Sequence, residues 1–324
     1  MGSEPLADRY VDTLRRVLGG TWDVALVDVP VHTNVGDAAI WLGEVEALKA
    51  LGVRVRYVCH LRGYDAAALR RRLGDGVVLL HGGGNLGDLW PAHQALRERV
   101  LEDFPDRPVV QLPQTVCFRS EDAVHRARRA FAEHPRLTLL VRDGRSLEAV
   151  RRDFDTPALL CPDGAFCLPE PARGPPERET LWLLRTDHEA AERRSLPGVE
   201  PVDWLDEPPS RRVRAARVLD GVGGAGGPVG ATAAALALRL HLQAARRRYL
   251  RGCALLSSAR VVVSDRLHAH VLCLSLGVPH VLLDDRFGKI RAFVRTWTEA
   301  SPLVHVARDV GEAEGIAAAI LKGT

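Results

Sequence analysis

The sequence predicts an α/β protein of two domains, each built on a parallel sheet with helices on its faces. Three observations carry this expectation. A length of 324 residues suits two domains of ordinary size, and an apolar share of 46% is enough for a core in each. From Asp23 to Cys161 short β-branched runs alternate with segments of helical apolar spacing, which specifies parallel strands covered on both faces. After Pro162–Glu179, a stretch rich in proline and charge, the strand, turn, helix, strand pattern begins again.

The first domain is taken as residues 1–172 and the second as 173–324. In the first, β-rich runs place strands at Asp23–Val29, Val53–Val58, Val77–Leu80, Val109–Leu112, Leu137–Val141 and Ala158–Leu160. Apolar residues at helical spacing place helices at Asp37–Leu51, Ala66–Leu73, Leu89–Phe104 and Asp122–Glu133. This is a Rossmann-like alternation. The second domain opens with a strand at Thr180–Arg185. Gly221–Gly230 is glycine-dense but follows arginines rather than a strand, so it fails the context of a dinucleotide loop and reads as a mobile loop. A long helix then covers Ala231–Ser257, followed by a strand at Arg260–Val263, a helix at Leu267–Leu276 and a strand at His280–Leu283. A last helix, Val310–Leu321, is expected to pack back on the first domain.

Bulk chemistry excludes several classes. A net charge of +3 is too small to imply nucleic acid. No run reaches the ~18 apolar residues of a membrane span, and MGSEPLADRY lacks the basic and apolar regions of a signal peptide, so a cytoplasmic location is expected. The six cysteines form no C-x-x-C pair and several lie in apolar runs, which indicates buried free thiols. No His, Asp, Glu or Cys set has metal-ligand spacing, so no metal is expected. Arginine is dense at Arg211–Arg217 and Arg246–Arg251. A solvated helix face and a contact with anionic lipid headgroups both fit it.

Candidate ligand residues gather where strands end. Val77–Leu80 runs straight into His81, Gly82, Gly83, Gly84 and Asn85, with a helix expected soon after. Strand ends of this kind bind ligands in open α/β sheets, and a phosphate or carboxylate suits glycines that open a helix. Arg142 follows Leu137–Val141, and Arg266 and His268 follow Arg260–Val263 in the other domain. Arginine pairs with carboxylate or phosphate in two-point fashion, and histidine can carry a proton near neutral pH. An Arg142–Asp143 surface pair and a merely structural His268 are the plainer alternatives.

Four motifs in order, Asn34-Val35-Gly36-Asp37, the glycine-bearing segment from Val77 to Phe118, Arg142-Asp143, and Ser264-Asp265-Arg266-Leu267-His268 followed by Gly288-Lys289, resemble the polysaccharide pyruvyl transferase family over about residues 22–298. The resemblance implies two Rossmann-like domains facing a cleft, in a glycosyltransferase-B-like arrangement. It also implies transfer of the carboxyvinyl carbons of phosphoenolpyruvate to two hydroxyls of a cell-surface sugar or its lipid-linked precursor, giving a pyruvate ketal and phosphate. Phosphoenolpyruvate is then a co-substrate and no cofactor is needed. Donor binding falls to Arg142, Arg266, Leu267 and Lys289, with His268 as general acid. Asp37 either binds or deprotonates an acceptor hydroxyl or caps its helix. Asn34, Gly36, His81, Gly82, Gly83, Gly84, Asn85, Asp88, Trp90 and Gln114 form the expected acceptor side, with Gln111 beside them. His270 is expected to be structural.

Three other classes compete: an esterase, a sugar-nucleotide glycosyltransferase, and a catalytically dead binding protein, which only a failure of the two arginines and His268 to converge would support. HGGG also builds the oxyanion hole of esterases, but those need G-x-S-x-G, which the sequence lacks. A sugar-nucleotide glycosyltransferase shares the two-domain plan and differs in its donor.

Overall fold

The computed structural model describes residues 5–187, 189–190, 201–207, 210–223 and 227–323. The chain divides into two compact units. One comprises Met1–His32, Ile40–Leu168 and Pro208–Ala245, the other Thr33–Ala39, Pro169–Glu207 and Arg246–Thr324. Both are discontinuous, so segments 33–39 and 208–245 fall on the opposite side from where a single cut after residue 172 puts them.

Up to Leu160 the elements are α1 (Leu6–Leu18), β1 (Asp23–Val27), α2 (Val35–Ala50), β2 (Arg54–Cys59), α3 (Ala66–Leu73), β3 (Val77–Leu80), β4 (Gly83–Gly87), α4 (Pro91–Asp103), β5 (Val109–Cys117), α5 (Glu121–Ala132), β6 (Leu137–Val141), α6 (Gly144–Asp153) and β7 (Ala158–Leu160). Their strands form one parallel sheet of order β2-β1-β3-β5-β6-β7, with β4 also paired to β5. β3 is buried at every residue, as expected of a central parallel strand covered on both faces. Its neighbours pack Val100 of α4, Phe104 directly after it, Phe131 of α5 and Val150 of α6 into one core. Asp65, Ser120 and Asp143 cap α3, α5 and α6 through their side chains. Chain order reverses between β1 and β3, and the carboxyl ends there carry Asp28 and His81.

The second unit holds β8 (Arg178–Leu183). The chain then runs through α7 (Arg211–Gly223) and α8 (Gly227–Ser257) to β9 (Ala259–Ser264), α9 (Leu267–Leu276), β10 (His280–Leu282), α10 (Lys289–Trp297), β11 (Val304–Val306) and α11 (Val310–Gly323). Its sheet is parallel, in the order β11-β10-β9-β8. α11 buries Ala313 and Ala317 in the core of its own sheet, with Val261, Val263 and Val281.

Two sequence expectations are corrected. The glycine run does not open a helix: Gly83–Gly87 is the short strand β4, and α4 starts only at Pro91. β4 lies so close to its neighbour that a Cβ on Gly87 would sit 1.9 Å from the Cys117 carbonyl oxygen. Gly221–Gly230 is not a loop where it is described. α7 continues to Gly223 and α8 starts at Gly227, while 224–226 lie outside the described residues. Glycine serves helix contact here, since a Cβ on Gly230 would lie 3.0 Å from the Gly223 carbonyl oxygen. α1, α6, α10, β4 and β11 were not expected from the sequence, and α7 only as the solvated helix face that Arg211–Arg217 fits.

Candidate functional site

In the second unit the turn after β9 is fixed from below. The Ser264 hydroxyl donates to the Leu183 carbonyl at 2.6 Å and accepts from the Arg266 backbone N–H at 3.1 Å. Asp265 accepts from the Arg185 backbone N–H at 2.8 Å. Arg266 is therefore held at the start of α9, whose first N–H groups have no intrahelical acceptor and form an anion-binding terminus. Its buried guanidinium bonds Asp203, approaches Asp187 at 3.6 Å and lies over the Trp204 ring at 5.9 Å. The Arg266 Nε is buried with no acceptor among the described residues, so donor capacity remains beyond these carboxylates.

His268 sits on the first turn of α9, 8% exposed. The Asn34-Val35-Gly36-Asp37 segment belongs to the same unit and packs against it. A Cβ built on Gly36 would lie 2.3 Å from His268 Nδ1 and 2.6 Å from Cγ, so the imidazole rests on bare backbone. Asn34 caps α2: its Oδ1 accepts from Gly36 N–H at 3.0 Å and its Nδ2 donates to Asp37 at 2.8 Å. Asp37 is thus in the first turn rather than at the cap, oriented by Asn34. Lys289 is also buried here, and its Nζ bonds Glu189 at 3.0 Å. Glu189 is shared with Arg185 at 3.1 Å, and Arg185 binds Asp187 in two-point fashion at 2.8 and 3.0 Å. His270 is structural as expected. It lies between His280 at 2.8 Å and Thr298 at 2.9 Å, and burial with His280 beside it holds its pKa well below the usual value.

The first unit holds the other expected residues. Arg142 is buried, donating to Thr115 at 2.9 Å and to Asp163 at 2.6 Å. The Arg142–Asp143 surface pair is thereby excluded, because Asp143 instead caps α6 through Ser146. Trp90 is 38% exposed, which rules out full burial in the core. Several polar residues read as ligands are occupied in the interior. His81 bonds buried Glu44 at 2.7 Å, and Glu44 also accepts from Gly82 N–H at 2.8 Å. Gln111 and Gln114 both donate to the His81 carbonyl, and Gln114 accepts from the Asn85 backbone. Asn85 Oδ1 accepts from Arg97, whose pKa burial lowers to about 10. Asp88 accepts from the backbone of Arg119 and Ser120 ahead of α5. Gly83 and Gly84 are in β4.

Two arrangements had no sequence signal. Asp28, directly after β1, has φ 71°, the one positive φ outside glycine among the described residues. Its carboxylate grips His93 Nδ1 at 2.7 and 3.0 Å, at the point where chain order reverses. Strain of this kind concentrates where function requires it. Separately, His60, Asp220 and His241 present one ligand atom each within 4.8 Å of one another. The cysteines are free, and burial pushes the Cys59 and Cys161 thiols up to about 12. No helix among the described residues is long and apolar enough to cross a membrane.

Residues 34–285 match the family model of polysaccharide pyruvyl transferases. Pyruvyl transferase 1 of Schizosaccharomyces pombe is 32% identical over 89% of this chain and 73% of its own length. EpsO of Bacillus subtilis, which bears the pyruvyl transferase name, is 28% identical over 94% of this chain and 97% of its own. General stress protein 30 of the same organism is 23% identical over 86% and 78%. A functionally uncharacterised Klebsiella pneumoniae protein of known structure shares the fold. Its TM-score is 0.61 at 13% identity, over 94% of this chain and 99% of that one.

Proposed function

Because the chain belongs to the polysaccharide pyruvyl transferase family, we propose that it moves the carboxyvinyl group of phosphoenolpyruvate onto two hydroxyls of a sugar, forming a pyruvate ketal and releasing phosphate. The observation that carries this reading is the seating of His268 on Gly36 beside Arg266, which joins two motifs 232 positions apart at one helix terminus. In this reading Arg266 and the first N–H groups of α9, beginning at Leu267, hold the anionic donor, and buried Arg142 is an anion-binding arginine of the first unit. Lys289 supports the site through Glu189.

The chemistry then follows in two steps. His268 gives a proton to the methylene carbon, which becomes a methyl, while one sugar oxygen bonds to C2. The C2–O bond to phosphate then breaks as the second hydroxyl closes the ketal. Each hydroxyl loses its proton to a base, and positioned acid and base groups of this kind contribute typically ~10²–10⁴ in rate. Asp37, oriented by Asn34, and His93, held by Asp28, are the two groups suited to accept those protons. Trp90, partly exposed, is the aromatic residue suited to stack against a sugar ring. We read the two parallel-sheet units as the halves of a glycosyltransferase-B-like enzyme working in the cytoplasm on a cell-surface polysaccharide or its lipid-linked precursor. Exposed Arg211, Arg212, Arg214 and Arg217, next to exposed Val218 and Val222, suit anionic headgroups near such an acceptor.

The test is incubation with phosphoenolpyruvate and a panel of lipid-linked and model glycosides, following phosphate release and the mass of the product. Phosphate release matched by a ketal product supports the reading. Turnover of a sugar nucleotide, with nucleotide diphosphate released and no use of phosphoenolpyruvate, makes the protein a glycosyltransferase instead.

A further inference from the structure

We propose that His60, Asp220 and His241 form a binding site for a transition-metal dication of the zinc class. The site would act as a clip that fastens α7 and the first part of α8 to the end of β2, and it is separate from the donor and acceptor chemistry. All three residues belong to the first unit, in which 208–245 is joined to a body made by much earlier sequence. His60 follows β2, Asp220 is on α7 and His241 is on α8.

The geometry already approximates a coordination shell. Asp220 Oδ1 is 3.3 Å from His60 Nε2, and Asp220 Oδ2 is 2.8 Å from His241 Nε2. The two imidazoles meet edge to face with centroids 5.8 Å apart. Ligands ~2.0–2.1 Å from a tetrahedral metal are about 3.3 Å from each other; the two carboxylate contacts, made by different oxygens, are near that spacing, and the three ligand atoms, within 4.8 Å of one another, draw in around the ion on loading. Two imidazoles and one carboxylate suit zinc, cobalt or nickel rather than magnesium, which favours oxygen ligands. His60 is 14% and Asp220 23% exposed at the side chain against 2% for His241, so water can complete the shell from the outer side.

Loading has a definable cost. His60 Nδ1 accepts from the Arg62 backbone N–H at 3.3 Å, so in the neutral ring the proton is on Nε2, facing Asp220. A metal at Nε2 moves that proton to Nδ1, and this long hydrogen bond is given up. Without the metal, the same three groups form a hydrogen-bonded ladder, which is the plainer role that the experiment must separate from metal binding.

The experiment uses the full chain without an affinity tag, dialysed against chelator and then freed of it. Zinc is titrated by calorimetry, thermal unfolding is followed with zinc and with magnesium, and cobalt is added to read its visible absorption. The expected result is one zinc per chain, a rise in Tm of several degrees with zinc and none with magnesium, and a cobalt band of low-symmetry N and O ligation. His60→Gln and Asp220→Asn replace the two partly exposed ligands and leave His241 in its buried place. Each should weaken zinc binding by at least 10–100-fold while keeping the far-UV circular dichroism and the magnesium Tm of the parent. Absence of zinc binding at micromolar concentrations overturns the proposal and leaves the ladder. So does equal binding by both variants, which assigns the zinc to other side chains. Neither result bears on phosphoenolpyruvate transfer.

Discussion

Replacing Gly36 by alanine should damage catalysis far more than stability. The added Cβ would lie 2.3 Å from His268 Nδ1, 2.6 Å from Cγ and 2.8 Å from Cβ. Ordinary carbon contacts begin near 3.4 Å, so the imidazole and the first turn of α2 must part by about 1 Å. Overpacking of a buried contact costs ~1–3 kcal/mol, but alanine in a helix is roughly 1 kcal/mol better than glycine. The net destabilisation is therefore about 0–2 kcal/mol, small enough to leave the protein folded. Misplacing a catalytic group by 1 Å can cost on the order of 10²-fold in rate, so kcat should fall by about that factor while Tm moves by only a few degrees. Phosphoenolpyruvate-dependent phosphate release and thermal unfolding measure the two quantities on the same preparation. Gly315→Ala is the control, because nothing lies within 4 Å of a Cβ there, and it should leave both unchanged or raise Tm slightly. If Gly36→Ala keeps the parent kcat, the ring is not working from this seat and the reasoning is refuted.

His268→Ala should lower kcat by ~10²–10⁴ with phosphoenolpyruvate binding kept, whereas Arg266→Ala should chiefly weaken binding. Calorimetry with the donor separates the two, and normal turnover by a folded His268→Ala protein means the proton comes from elsewhere. His93→Gln should lower kcat without changing donor affinity, and an unchanged rate would remove His93 from the acid–base chemistry. Turnover should need no added magnesium or manganese, since cationic side chains and a helix terminus meet the donor's charge; a complete loss in chelator that only those ions restore contradicts this. Acid should destabilise the second unit through His280. Burial takes its pKa from 6.5 to about 4, so the unfolded state binds the extra proton between those values. Its contribution, roughly 3 kcal/mol, is fully present above about pH 6.5 and is lost as pH falls towards 4. Thermal unfolding from pH 7 to 4 should show that fall, shallower in His280→Gln, and an equal slope in the variant would refute the assignment.

Much of the fold was legible because continuous apolar runs bounded by strong punctuation have few alternatives. β3, β6 and β7 have the bounds expected from their β-branched runs, and α9 ends where Gly277 takes a left-handed conformation. α6 was missed because Arg142-Asp143 was weighed as a ligand arginine or a surface pair and Asp143 was not considered as the cap it provides. At the candidate site the sequence located strand ends well but could not say where each side chain points. His81, Gln111 and Gln114 look like ligand residues by type, yet they tie the ends of β3 and β5 to Glu44 and to each other in the interior. The contact of Gly36 with His268, the strain at Asp28 and the meeting of His60 with Asp220 and His241 depend on pairs far apart in the chain. Spacing carries no information about them.

The discontinuity of the two units bears on how the protein is made. Residues 1–32 and 40–168 emerge first, but the first unit is complete only when 208–245 has been synthesised, after 169–207 of the second unit have already left the ribosome. At ~5–20 residues per second the nascent first unit waits roughly 4–15 seconds between residue 168 and residue 245, without Asp220, His241 and the rest of its last segment. Neither unit is a contiguous stretch of chain, and a chain truncated after Leu168 would lack the 208–245 segment of the first unit. Halves of this molecule should be sought by splitting and co-expression rather than by a single cut, with the second piece carrying 208–245.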